Sequence, residues 1–213
     1  MKVKSEIHLI EGEVGQLEVR VRAVMEEAVN AKKGLVVISH PHPLFGGTMD
    51  NKIIHTLFNT VLELGFISVK FNFRGVGESA GTHDDGIGEV EDIKAVVSSV
   101  SEHFHTQYSG LSLLLAGFSF GGGVQAHAAQ HLKPQHLILV APSVERLNAP
   151  PVVDHADQVL IIHGDQDDIV PLQSVLDWAA HQQSQPVVVI PGAEHFFHGR
   201  LSSIKGVVLD AFK

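Results

Sequence analysis

The chain has 213 residues, 44% of them hydrophobic, enough for a core that removes roughly 70% of the unfolded chain's surface from water. Its 15 Lys and Arg against 24 Asp and Glu leave a formal charge of −9, which repels a phosphate backbone and argues against a nucleic-acid partner. The absence of cysteine excludes disulfides, thiolate metal sites, iron–sulfur clusters and a cysteine nucleophile together.

No apolar run approaches the roughly 20 residues of a membrane helix. Glu6, Glu11 and Glu13 interrupt the stretch where a secretion signal would need continuous apolar residues. The expectation is a cytoplasmic protein with no membrane partner and a small-molecule substrate. No linker, repeat or low-complexity tract divides the chain, so one domain over residues 1–213 is expected. Nothing in the sequence fixes an oligomeric state.

The first 24 residues alternate polar and apolar side chains around Gly12 and Gly15, with Ile7 and Leu9 in one run and Leu17, Val19 and Val21 in the next. That pattern predicts a hairpin of half-exposed strands. From residue 35 the strands change character. LVVIS (35–39), FISVKFNF (66–73), LSLLLAGF (111–118), HLILVAP (136–142), VLIIHG (159–164) and PVVVI (186–190) are nearly continuous apolar runs, as in a parallel sheet covered on both faces. Between them, apolar spacing predicts helices over 51–64, 87–104, 121–132, 172–182 and about 197–212. The expected fold class is α/β, a doubly wound, mostly parallel sheet of about eight strands with an antiparallel N-terminal hairpin.

Gly117-Phe118-Ser119-Phe120-Gly121 stands between a buried strand and a helix. In that context G-x-S-x-G reads as a nucleophile elbow, in which small residues flank a sharp turn that lifts Ser119 above the sheet edge. The structural alternative is a glycine-rich turn carrying an ordinary serine. A serine hydroxyl is a weak nucleophile at its own pKa and needs a base, and the base needs a group to orient it. His195, in the loop after the last buried strand, is the candidate base; His198, beside Phe197 and Arg200, suits a supporting or surface role. Asp165, Asp167 and Asp168 cluster in the turn after VLIIHG, and one of them should hold the imidazole. Acids just before Pro171 also favour a helix N-terminus without any catalytic role.

Two patterns point elsewhere and fail. Gly75-Val76-Gly77-Glu78-Ser79-Ala80 has the form of a dinucleotide fingerprint, but residues 81–86 make a loop rather than a helix and add carboxylates. His40 and His42 have the spacing of a metal pair, but no further ligands or H-E-x-x-H motif accompany them. No metal and no organic cofactor are expected.

The order Ser119, Asp167, His195 is similar to that of the α/β-hydrolase fold, whose acid commonly sits in G-x-x-D-x-x-V-P. Gly164 to Pro171 matches that form with Asp167 as the acid and Asp165 as second choice. SHPHPLFGGTMDNK (39–52), FNFRGVGESAG (71–81), AGFSFGGG (116–123) and HGDQDDIVP (163–171) together resemble the small capless bacterial hydrolases related to dienelactone hydrolase. That enzyme itself uses a cysteine nucleophile, which this chain lacks. The resemblance, over about residues 33–200, implies a serine hydrolase acting on a small ester-like substrate, with thioester or peptide hydrolysis as alternatives on the same triad. A binding module that keeps the hydrolase shell without turnover is the rival from another class.

The resemblance also implies an oxyanion hole built from the Phe120 N–H and an amide of the 40–47 loop. Pro41 and Pro43 have no N–H to give, which leaves His42, Leu44 and Phe45, and the position resembling the donor of related enzymes is Leu44. Arg74, in the R-G-x-G-x-S loop, is expected to tie loop backbone together more than to bind substrate. Larger members insert a cap between the strands read here as HLILVAP and VLIIHG, where this chain has only residues 143–158. An open mouth is expected, formed by the loops around Leu44, Arg74, Val144 and His195.

Overall fold

The computed structural model describes residues 3–24, 33–105, 110–182 and 185–212. Gly15, at φ 119°, lets the chain reverse between β1 (Val3–Gly12) and β2 (Gly15–Val24), which pair antiparallel from Val3 against Val24 to Gly12 against Gly15. Leu17, Val19 and Val21 point inward while their neighbours stay half-exposed, as strict alternation requires.

The remaining strands are β3 (Gly34–Ser39), β4 (Ile67–Phe71), β5 (Ser112–Phe118), β6 (His136–Val140), β7 (Gln158–Gly164) and β8 (Val187–Ile190). They alternate with α1 (Lys52–Glu63), α2 (Ile87–His105), α3 (Phe120–Leu132), α4 (Leu172–Ala180) and α5 (Leu201–Phe212). The sheet runs β1-β2-β4-β3-β5-β6-β7-β8; β2 meets β4 antiparallel, and every pairing from β4 to β8 is parallel.

Successive side chains of a strand point to opposite faces, so the continuous apolar runs feed two cores. Val36, Ile38, Leu114, Ala116 and Ile138 pack against α1 and α5 through Leu57, Phe58, Ile204 and Val208. Their neighbours Val37, Leu115 and Leu137 pack against α2 and α3 through Ile93, Val96 and Val124, and Ile161 packs against Val175 and Ala179 of α4.

Two boundaries and one strand's burial differ from the sequence pattern for reasons the structure shows. β6 stops at Val140 because Ala141 turns to φ 42° and Pro142 has no N–H. α5 starts at Leu201 rather than 197, because Phe197 and Gly199 hold left-handed φ values of 52° and 69°. At β8 the valines are only partly covered and Val189 is exposed, since this strand forms the sheet edge.

Residues 141–157, between β6 and β7, form turns without a helix or strand. Trp178 Nε1 donates to Ala149 O at 2.9 Å and Gln130 Nε2 to Pro151 O at 2.6 Å, fastening this connection to α4 and α3. The Val152 side chain is buried, and its N–H donates to Gln182 Oε1 at 2.6 Å. The connection therefore packs on the helices and builds no cap.

Arg74 does not border the mouth. It is buried after β4, where its Nε and Nη2 reach Asp92 Oδ1 at 3.0 and 2.8 Å, and its own N–H donates to Asp92 Oδ2 at 2.9 Å. Nη2 also reaches Glu13 at 3.2 Å, so one guanidinium joins β4, α2 and the end of the hairpin. A Cβ on Gly88 would collide with that guanidinium, which accounts for glycine in the first turn of α2. Arg74→Met should lower unfolding free energy by about 3–5 kcal/mol, because it strands the buried Asp92 charge. Denaturant titration checks this, and an unchanged midpoint would show that water compensates the carboxylate.

Candidate active site

Ser119 occupies the turn between β5 and α3 at φ 55° and ψ −120°, a conformation that costs a non-glycine residue about 1–3 kcal/mol. The flanking glycines make it feasible. A Cβ on Gly117 would stand 2.5 Å from Gly121 O, and one on Gly121 would collide with the Ser39 and His40 carbonyl oxygens. The turn is pinned by Ser119 N–H donating to Val140 O at 2.9 Å, and by Ser119 O accepting from Ser143 N–H at 3.0 Å. Beneath it, buried Gln125 Nε2 donates to Ser39 Oγ at 2.7 Å and to Ala116 O at 3.1 Å, joining β3 to β5.

Ser119 Oγ lies 3.0 Å from His195 Nε2, and His195 Nδ1 lies 2.7 Å from Asp167 Oδ2. A carboxylate only accepts, so Nδ1 carries the proton and Nε2 turns its lone pair toward the serine hydroxyl. The Asp167 side chain is fully buried. Burial alone would raise its carboxyl, but hydrogen bonds from His195 and from the Val170 and Ile169 amides outweigh it and hold the group below the usual carboxylate value.

The neighbouring acids do other work. Asp165 accepts from Gly192 N–H at 2.6 Å, tying the acid's loop to the imidazole's loop, while Asp168 is exposed. His198 is exposed, with Nδ1 2.9 Å from Glu194 Oε1. Glu194 also accepts from the Phe196 and His198 amides, so its carboxylate shapes the loop that presents His195.

The 40–47 loop supplies the third side of the site. Both His40 nitrogens are committed to backbone, Nδ1 to Pro41 O at 2.6 Å and Nε2 to Phe73 N–H at 3.0 Å, which leaves this ring none for an ion. Leu44 does not fit the expectation of an oxyanion donor, because its N–H is spent on His42 Nδ1 at 3.2 Å. Phe45 N–H is likewise spent, on His42 O at 3.1 Å. Of the three amides, only that of His42 has no partner among the described residues. Phe120 N–H, first in α3, has no intrahelical acceptor.

Two clefts meet at Ser119, of about 410 and 180 Å³, and His42, Phe45 and Ile169 border both. Sequence reasoning missed Ser143, whose Oγ lies 3.4 Å from Ser119 Oγ. Its place just beyond the carboxyl end of a parallel strand was the available signal. It also missed His163, buried behind the acid with Nε2 2.9 Å from Val170 O and 3.5 Å from Asp167 Oδ2. Burial pushes this imidazole down, and its Nε2 is hydrogen-bonded to Val170 O beside the acid.

An eight-stranded sheet with a serine on a strand-to-helix elbow at its carboxyl edge defines the class of the α/β serine hydrolases. The chain belongs to that class, and its residues 30–159 match the family described as serine aminopeptidase, S33. It is similar to an α/β serine hydrolase homologue from Coxiella burnetii, with 43% identity, TM-score 0.85 and coverage of 98% of this chain and 97% of the other. It is also similar to XC6422 of Xanthomonas campestris, described as an α/β serine hydrolase without lid, at 38% identity, TM-score 0.85 and coverage of 99% and 94%. The uncharacterized protein RP471 of Rickettsia prowazekii is 29% identical over 208 residues, covering 91% of this chain and 84% of that protein. The protein is a hydrolase. Among the described residues, no helix is long and apolar enough to cross a membrane.

Burial pushes the His40 imidazole down to about 4, against the pull of the Pro41 carbonyl. Burial first, and then the proximity of Arg146, bring His42 to about 4 as well. In the unfolded chain both rings take up protons below about pH 6.5. The unfolded state therefore binds more protons between about pH 6.5 and 4, and stability falls as pH falls through that window. For His40 alone the full shift amounts to roughly 3 kcal/mol. Denaturant midpoints should decline steadily from pH 7 to 5, and a flat profile would contradict neutral, buried rings.

Proposed function

We propose that Ser119, His195 and Asp167 act as a catalytic triad that hydrolyses a small carboxylic ester. The unbroken chain of contacts from Ser119 Oγ through His195 to Asp167, at 3.0 and 2.7 Å, carries the reading. In the first half, the Ser119 hydroxyl proton moves to His195 Nε2 as Oγ bonds to the carbonyl carbon. The carbonyl oxygen takes the negative charge, and the Phe120 N–H at the positive end of α3 stabilises it. The His42 N–H replaces Leu44 as the proposed second donor, because it has no partner among the described residues and belongs to a residue bordering both clefts.

The intermediate then collapses: the bond to the alcohol oxygen breaks and that oxygen takes the proton from His195 Nε2. Water repeats the sequence on the acyl-enzyme, giving its proton to His195 and returning Ser119 as the hydroxyl. Asp167 stabilises the imidazolium in both halves through its ionised carboxylate. No step calls on a metal or an organic cofactor.

The matched family's description favours a second reading, cleavage of aminoacyl amides. Such substrates carry an ammonium group that needs an anion to hold it. Glu145 borders the larger cleft, but Arg146 follows it and offsets its charge, so the ester reading is the better supported. A panel of activated esters, acyl thioesters and aminoacyl amides separates these readings, with esters expected to react fastest.

A fluorophosphonate probe should label the wild-type protein at Ser119, and Ser119→Ala should abolish labelling and lower kcat by at least about three orders of magnitude. Wild-type turnover in that variant would overturn the assignment, and an unlabelled wild-type protein would indicate a binding shell. Asp167→Asn should lower kcat by about four orders of magnitude, since the amide carries no charge and selects the wrong tautomer. Asp165→Asn keeps an oxygen acceptor for Gly192 N–H and should cost far less. Steady-state kinetics of the two variants checks the order, and a reversed order would move the triad acid to Asp165.

A further inference from the structure

We propose that the substrate is an uncharged ester with its bulk on the acyl side and a small alcohol as leaving group. The inference rests on the Ser119 reading above. Its basis is an asymmetry between the two clefts. The larger runs from Ser119 and Phe120 past Ser143 and Arg146 to Val170 and Ser174. The smaller runs from Ser119 past His195 and Phe196 to Gly47 and Asn51, and only this one is bordered by His195.

The position of the base decides which part of an ester lies where. The proton that His195 takes from Ser119 must go to the departing alcohol oxygen, which therefore comes within about 2.6–3.2 Å of Nε2. The alcohol then occupies the cleft on the His195 side. The acyl group, attached at the carbonyl carbon above Ser119 Oγ, extends into the other.

Sizes follow from this assignment. At about 410 Å³ the larger cleft falls within the range of pockets that enclose drug-sized ligands, roughly 300–1,000 Å³, while the smaller, at about 180 Å³, falls below it. Beside Ser119 the small cleft has little room to widen, because one wall is backbone; its outer end, at Gly46, Asn51 and Phe196, adjoins a further open hollow of about 380 Å³. Three hydrogen bonds brace that wall: Phe45 N–H to His42 O at 3.1 Å, Gly46 N–H to Pro43 O at 3.2 Å and Gly47 N–H to His42 O at 3.0 Å. A Cβ on Gly47 would already collide with the Pro41 carbonyl.

The lining of the larger cleft selects against charge. Ile169, Val170, Pro171 and Phe120 present apolar surface, and the charged residues on the lining, Glu145 and Arg146, have opposite signs. His42 adds no charge near neutral pH, being depressed to about 4 by burial. A carboxylate on the acyl group would lose hydration here without a net cationic field to replace it.

Methyl phenylacetate and benzyl acetate are isomers that place the same phenyl group on opposite sides of the ester. With each enzymatic kcat/KM divided by the hydroxide-catalysed rate of the same ester, methyl phenylacetate should be preferred by at least about tenfold. Ser174→Trp, which fills only the larger cleft, should move that ratio toward one, with thermal melting confirming that the variant folds. Methyl 4-carboxyphenylacetate should be turned over more slowly than methyl phenylacetate. Preference for benzyl acetate, or an unchanged ratio in Ser174→Trp, would overturn the cleft assignment and leave the ester reading intact. Faster turnover of the carboxylated ester would overturn the uncharged acyl group. A wild-type protein that cleaves neither isomer, nor phenyl acetate, would overturn the ester reading and this inference with it.

Discussion

Gly121 lies so close to the carboxyl end of β3 that a Cβ there would strike the Ser39 and His40 carbonyl oxygens. That approach of backbone to backbone lets α3 begin directly at the end of β5, with only Ser119 between them. The strained φ of Ser119 is a consequence, offset by the hydrogen bonds that its N–H and carbonyl make to Val140, Gly123 and Ser143. The same contact brings the start of α3 against the 40–47 loop. The Phe120 amide, the positive helix end and the serine hydroxyl therefore converge at one point without any side chain having to reach across a gap.

Around that point the site is assembled from loops at the carboxyl ends of parallel strands, and buried polar groups fix each loop. Asp165 joins the loop after β7 to Gly192 in the loop after β8. Asn72 accepts from Met49 N–H at 2.8 Å and so anchors the far end of the loop that contains His42. Lys70, buried in β4, donates to Met49 O at 3.0 Å and to Asp50 at 2.7 Å beside it. An imidazole and a carboxylate on separate loops keep a 2.7 Å contact only if both loops are held this way, since small displacements of reacting groups are costly.

The missing cap shifts discrimination onto these loops. With residues 141–157 fastened to α3 and α4, that segment borders the larger cleft through Ser143, Glu145 and Arg146 but builds no cap, and exposed Phe45, Ile169 and Phe196 flank the two clefts. Apolar groups exposed at a mouth make a rim against which an uncharged substrate can desolvate. The chain's formal charge of −9 makes the overall field unfavourable to anions approaching from solution. On the proposed reading, wall and field together filter substrates by size and charge.

The order of strands and helices was determined by sequence alone, because period-2 and period-3.6 apolar patterns follow from burial on one or both faces of an element and need no partner to be read. Ser119 was legible for the same kind of reason: glycines at 117 and 121 mark a local backbone demand. His195 was legible as the candidate base from its place in the loop after the last buried strand, whereas choosing Asp167 among three acids depended on a family resemblance, because residues 28 positions apart meet only through strand order. Only the tertiary structure decided which amides remain free. Leu44 N–H is consumed by a side chain whose direction no pattern records, and among the described residues His42 N–H is left over. Likewise Arg74 faces inward to Asp92, and His163 lies 3.5 Å from Asp167 on the inner side of the sheet. Hydrogen-bond partnership among buried groups is settled by angstrom-scale placement across the fold, and a linear sequence carries no such distances.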